Sequence, residues 1–361
     1  MNTLGSKLKV TVFGQSHAPA IGCVIDGLPA GFEPDMERVA AFMARRAPGQ
    51  NAWSTPRKES DTPEILSGLV DGRTCGAPVA MVIHNTNQHS KDYSGLKRTP
   101  RPSHADYTAM IKYGSDYDVR GGGQFSGRLT APLCFAGAFA LQLLEQKGVA
   151  VAAHIDQIGG VFDTAPDFAK VSREELTALL EKSFPVFSDD AGVNMRQAIE
   201  AARMETDSVG GVVRCFAAGL PAGIGEPMFD GVENRLAAAL FGIPAVRGVS
   251  FGTGFAAAGM RGSEHNDPFV MEGDRVAART NHAGGVLGGI TSGMPLVVNV
   301  GFKPTASIAR EQDTVDLQTK ENTSLVIHGR HDPCIVPRAV PVVEAVTALT
   351  ILDMLLEHTD E

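Results

Sequence analysis

The sequence lacks most of the features that announce the simplest function classes. Its five cysteines, Cys23, Cys75, Cys134, Cys215 and Cys334, are scattered, odd in number and contain no Cys-x-x-Cys pair. That spacing argues against a zinc ribbon and a disulfide framework, and it suits a reducing, cytoplasmic compartment. Long blocks of Lys and Arg are missing and the net charge is −9, so the chain does not have the charge of a nucleic-acid binder. The N-terminal MNTLGSKLKVTVFG has no apolar core followed by a cleavage site, so no secretory signal is expected. No run of about 18 apolar residues stands out, and no membrane span is expected. The sequence GxxxxGK[ST] is absent, GGGQFSG departs from the GxGxxG spacing, and GQSHA is not GxSxG, which removes the Walker loop, the dinucleotide fingerprint and the nucleophile elbow. His328 and His331 have no third ligand at a recognisable spacing, and no metal site is expected.

Glycine, by contrast, is plentiful. The chain has 40 in 361 residues, above the usual share of about 7%, which points to tight turns and close approach of backbone to a ligand. The patterning gives strands at 8–14, 21–27, 77–85, 209–219 and 295–302. It gives helices at 34–47, 131–148, 192–205, 232–242 and 340–358, with a capping box formed by Ser172 and Glu175 before another. Residues 48–62 read as a polar loop, and 86–130 as a long glycine-rich tract of the kind that carries function. No linker divides the chain, so residues 1–361 read as one domain. The strands IGCVIDG and VVRCFAAG are each followed into the same GLPAG turn, which hints at a duplicated unit. Alternating elements and glycine turns indicate α+β with antiparallel sheets.

Four polar, glycine-flanked stretches could carry chemistry: Ser16-His17; Arg101 to Asp106 with His104; Arg120 to Arg128 with Ser126; and Lys303 to Ser307, followed later by Arg330 to Cys334. Arginine forks match carboxylate and phosphate oxygens. Open glycine backbone before the apolar helix at 131–148 makes a candidate anion cradle. His17 and His104 titrate near neutrality and could move protons. Each also has a plainer reading: a buried structural histidine, a glycine turn with a surface arginine, or a turn-capping or salt-bridged Asp332. Arg45 and Arg46 equally suit a helix C-terminus.

Taken together, the stretches resemble one family. FGQSHAPAIGCVIDGLPAG resembles the chorismate synthase signature around GESHG, RPSHADYT its RPGHADYT, and RGGGQFSGRLTA its RGGGRSSARETA-type loop. NHAGGVLGGITSGMP, KPTAS and GRHDPCIVPRAVP resemble its later signatures. The resemblance implies a β-α-β sandwich, with helices packed between antiparallel sheets and an internal pseudo-twofold repeat. It implies an anti-1,4 elimination of phosphate from 5-enolpyruvylshikimate 3-phosphate, dependent on reduced FMN, in a cytoplasmic homotetramer. NADPH would then act as an indirect reductant through an external flavin reductase, with neither nucleic acid nor membrane as partner.

By the same resemblance His17 is the acid toward the leaving phosphate, His104 works beside the flavin, and Asp332 helps remove the C6 proton. Arg46, Arg101, Arg128 and Arg338 are the substrate clamps. Ser126, Gly127, Gly288, Lys303, Pro304, Thr305, Ala306, Ser307 and Arg330 fall where the family contacts FMN. The chain departs from the family at Gln15, Ala18, Ala52, Ser103, Gln124, Phe125 and Pro244, and Arg57 could substitute for the arginine missing at Ala52. The same scaffold acting on another phosphorylated substrate, or binding flavin without catalysis, remains an alternative.

Overall fold

The structure, a computed structural model, describes residues 2–49, 53, 61–85, 95–327 and 331–358. Two five-stranded antiparallel sheets enclose a layer of helices. The first sheet is built from β1 (Thr3–Leu4), β2 (Lys9–Gly14), β3 (Ala20–Asp26), β4 (Glu64–Ser67) and β5 (Val79–His84), in the order β1-β2-β3-β5-β4. The second holds β6 (Ala150–Ile158), β7 (Val161–Phe162), β8 (Gly211–Ala218), β9 (Val246–Phe251) and β10 (Leu296–Phe302), in the order β7-β6-β8-β10-β9.

The eight described α-helices are α1 (Met36–Arg46), α2 (Asp106–Tyr113), α3 (Thr130–Gln146), α4 (Arg173–Leu180), α5 (Asp189–Met204), α6 (Val232–Leu240), α7 (Gly262–His265) and α8 (Val336–His358). The connectivity occurs twice. In the first half β2 and β3 lead through α1 to β4, β5 and α3; in the second β6 and β8 lead through α6 to β9, β10 and α8. The shared GLPAG turn lies just after the second central strand of each half, so the echo marks a true repeat of topology.

The core forms where α3 and α8 pack against each other between the sheets. A Cβ on Gly137 of α3 would run into Ala345 of α8, so glycine is what lets the two backbones approach. α8, and α3 together with the turn before it (Gly127–Gln146), are long and apolar enough to cross a membrane by length and composition alone. Their apolar windows are 78% and 94% buried inside the fold, as helices hydrophobic all round are when they sit mid-core.

The two sheets bury different amounts of surface. In β5, Val79, Met81 and Ile83 are buried and alternate with less buried neighbours, the pattern of a sheet covered on one face. β6 is buried along most of its length, because α4 lays Leu176 and Leu179 over Ala152, Phe216 and Val297 on the outer face. The Ser172–Glu175 capping box that starts α4 is formed as expected. The tract at 86–130 is less irregular than expected: α2 interrupts it, followed by short 3-10 turns that lead into α3.

Candidate active site

A cavity of about 720 Å³ opens where the tract at 101–128 meets the segments 241–247, 302–307 and 331–342 from the second half of the chain. Its wall draws on the ends of β5, β9 and β10 and the start of α8. Six cationic side chains line it (Arg46, Arg101, Arg128, Arg247, Lys303 and Arg338), against two carboxylates, Asp61 and Asp332.

The triple glycine shapes one side. Gly121, Gly122 and Gly123 have φ of 59°, 87° and 55°, a left-handed run that residues with a Cβ rarely adopt. The loop is tied to the first strand turn by the Ser16 N–H, which donates to the Gly123 carbonyl at 3.1 Å. A Cβ on Gly121 would strike the His17 ring and the Ser16 hydroxyl. His17 is buried and does not line the cavity, whereas Ser16 and Gly121 do; the imidazole lies behind the wall because Gly121 leaves room for it. Gln15 removes the family glutamate next to His17, and Asp118 provides a carboxylate on that side. Hydrogen bonds from Arg120 outweigh burial and hold the Asp118 carboxyl below the usual carboxylate range, with His17 contributing further.

His104 does line the cavity. Its Nδ1 lies 2.7 Å from Asp106 Oδ1, and Arg101 donates from Nε and Nη2 to the two oxygens of the same carboxylate at 2.7 Å each. Burial would raise the Asp106 pKa, but the hydrogen bonds from Arg101 and His104 outweigh it and hold the carboxyl well below the usual range. An anionic Asp106 accepts the Nδ1–H of His104 and leaves Nε2 as the working nitrogen. Arg101 also donates from Nη1 to Ser307 Oγ at 3.1 Å, so most of its donors are spent inside the protein rather than on a ligand.

Ser103, which stands where the family has glycine, has a φ of 58°. Its carbonyl and hydroxyl both accept from Lys303 Nζ. Burial lowers the Lys303 pKa, and the neighbouring Arg247 and Arg101 lower it further.

Arg46, Arg128 and Arg338 are also engaged. Arg46 donates from Nε to Thr130 Oγ1 at 3.0 Å, from Nη1 to Asp61 Oδ2 at 2.5 Å and from Nη2 to the Gly127 carbonyl at 3.1 Å. Arg128 gives Nη1 to the other Asp61 oxygen and Nε to Asn85 Oδ1 at 3.1 Å. Arg338 donates to Asp332 Oδ2 at 2.5 Å and to the Arg46 carbonyl at 3.0 Å.

The cavity therefore brings together Arg46, Arg101, His104, Ser126, Gly127, Arg128, Lys303, Pro304, Thr305, Ala306, Ser307, Asp332 and Arg338. Gly288 is not on its wall. It sits in the turn between the short strands Val286–Leu287 and Ile290–Thr291 with a φ of 62°, and that turn is the reason for the glycine. Ala52, Arg57 and Arg330 lie outside the described residues. Sequence reasoning passed over Asp61 and gave Asp106 no role. A signal existed for Asp106, two positions after His104 and five after Arg101.

Thr305 Oγ1 is buried in the wall with no hydrogen-bond partner among the described residues. Buried hydroxyls are nearly always paired, so this one suits a ligand. With Lys303 and Arg247 nearby, the donors at this end fit a group that carries a phosphate.

A family model described as chorismate synthase matches residues 8–356. The chain is 49% identical to the chorismate synthase of Thermococcus gammatolerans, over 98% of this chain and 97% of that protein. It is 45% identical to that of Korarchaeum cryptofilum, over 98% and 96%, and 43% identical to that of Lancefieldella parvula, over 100% and 97%. A solved structure titled "Crystal Structure of Chorismate Synthase" superposes with a TM-score of 0.76 at 26% identity, covering 98% of this chain and 93% of that one.

Proposed function

The chain belongs to the chorismate synthase family, and on that premise we propose how the cavity divides the work of the reaction. That reaction is the anti-1,4 elimination of phosphate and the C6 proton from 5-enolpyruvylshikimate 3-phosphate, giving chorismate in the shikimate pathway toward the aromatic amino acids. The observation that carries the reading is the charge of the wall: six cations and two carboxylates in a chain whose net charge is −9. Such a pocket attracts a substrate with one phosphate and two carboxylates.

Arg46, Arg128 and Arg338, all on the cavity wall, clamp the substrate anions. Arg101 acts differently from the expected clamp, since it orders Asp106, His104 and Ser307. Members of the family use reduced flavin, and here Lys303, Thr305, Ser307 and the loop at Ser126 and Gly127 would hold it. Pro304 and Ala306 shape the backbone between these groups. Reduced FMN, when bound, supplies electron density that aids expulsion of the phosphate without net redox change.

His104, oriented by Asp106, holds or delivers a proton at its Nε2 on the cofactor side. Asp332, oriented by Arg338, accepts the C6 proton. His17 is the acid for the departing phosphate, its ring packed behind the cavity-lining Ser16 and Gly121. NADPH serves as the indirect reductant through an external flavin reductase. Exposed Met228, Phe229, Phe255, Phe269 and Met271 support burial against further copies in a homotetramer. The five free thiols, four of them buried, support a cytoplasmic location.

His104→Ala and Asp332→Asn are expected to lower turnover by roughly 10²–10⁴-fold, the scale of a positioned acid or base. Lys303→Ala should weaken FMN binding more than substrate binding. Wild-type rates in the first two, or unchanged flavin affinity in the third, would remove the corresponding assignment.

A further inference from the structure

Between the two buried arginines of the clamp stands a single carboxylate with no assigned role. Asp61 is 4% exposed, Arg46 3% and Arg128 9%. Asp61 gives one oxygen to each arginine: Oδ2 to Arg46 Nη1 at 2.5 Å, Oδ1 to Arg128 Nη1. Burial and the nearby Arg338 pull the Arg46 pKa down, Arg128 adds to the repulsion, and Asp61 opposes them. The backbone at Asp61 is itself unusual, with a φ of 46°. A residue with a Cβ is kept in that conformation only when its surroundings over-determine it.

We propose that Asp61 is a positioning residue for substrate binding: its carboxylate sets the spacing and orientation of Arg46 and Arg128 and offsets their mutual repulsion. A guanidinium has five N–H donors. Arg46 spends three on Thr130, Asp61 and Gly127, which leaves two for an anion. With one carboxylate oxygen fixed to each arginine, the two forks are held in place and the two unspent donors of Arg46 present a preformed site, so the ordering cost is met on folding rather than on binding. Without Asp61, two buried cations repel and their forks lose a common anchor.

This inference rests on the clamp assigned above, and its test separates the two. Binding of 5-enolpyruvylshikimate 3-phosphate is measured by calorimetry on flavin-free wild type, Arg128→Ala and Asp61→Asn, with FMN affinity and unfolding midpoint measured alongside. Asp61→Asn keeps the shape and removes the charge. It is expected to weaken substrate binding about tenfold or more with FMN affinity unchanged, and in steady state to raise KM far more than it lowers kcat.

Weaker binding in Arg128→Ala with wild-type binding in Asp61→Asn would overturn the role of Asp61 alone. Unchanged binding in Arg128→Ala would overturn the clamp and the proposal with it. A parallel loss of FMN and substrate affinity in Asp61→Asn would mark Asp61 as merely structural and overturn the proposal. If Asp61→Asn does not fold, Asp61→Glu provides the readout: it keeps the charge while moving it, and wild-type substrate affinity there would contradict a positioning role.

Discussion

Arg101 grips Asp106 through two parallel hydrogen bonds, Nε to Oδ2 and Nη2 to Oδ1, each 2.7 Å long. The bond pair is buried, and it joins Arg101 to His104 through the carboxylate they share. Asp106 has its pKa depressed in the folded state, so it contributes stability that is present above the unfolded value of about 3.9 and is lost as pH falls through the folded value. Asp106→Asn is expected to lower the unfolding free energy at pH 7 by about 3 kcal/mol, because it leaves the buried guanidinium without its counter-charge. Urea unfolding checks this, and the gap between variant and wild type should narrow at pH 3.

Gly121→Ala tests the placement of His17. The substitution puts a Cβ into the imidazole and the Ser16 hydroxyl at a backbone φ of 59°. Turnover is expected to fall about 10²-fold, while FMN affinity changes little. Normal turnover in a folded variant would show that the position of His17 does not matter to the reaction.

His154 gives the fold a pH dependence of its own, far from the cavity. It is fully buried against Phe187 and Phe216, and its Nδ1 lies 2.8 Å from Asp163 Oδ2. Its Nε2 has no hydrogen-bond partner among the described residues. Burial pushes its pKa below the usual histidine value, although Asp163 and Asp156 oppose the shift. The unfolded chain then binds a proton below about pH 6.5 that the folded chain resists, so stability should decline as pH falls from 6.5 toward 5. His154→Gln should flatten that part of the profile of urea midpoint against pH. An identical slope in the variant would place the titration elsewhere.

Much of this was legible in the sequence. Alternating or continuous apolar runs gave β2, β3, β5, α3 and α8 to within a few residues, and the repeated GLPAG turn marked the duplicated topology. β6 was harder to read, because Ala150–Ile158 is rich in alanine and carries His154 and Asp156; pairing with β8 and burial under α4 make it a strand. The arginines and His104 could be read as anion holders and a proton mover. Their internal partners could not. Asp61 acts through Arg46 and Arg128, 15 and 67 residues away, and no local pattern marks a carboxylate that must meet two distant cations. Likewise, the motif around His17 identifies the residue, but its depth behind Gly121 depends on a loop more than 100 positions later.

The most direct measurement mixes the purified chain with reduced FMN and 5-enolpyruvylshikimate 3-phosphate without oxygen, and follows phosphate, chorismate and the flavin spectrum together. The expected result is phosphate and chorismate appearing one for one, with the flavin still reduced at the end. Tight flavin and substrate binding with no phosphate released would contradict the elimination assigned to this cavity.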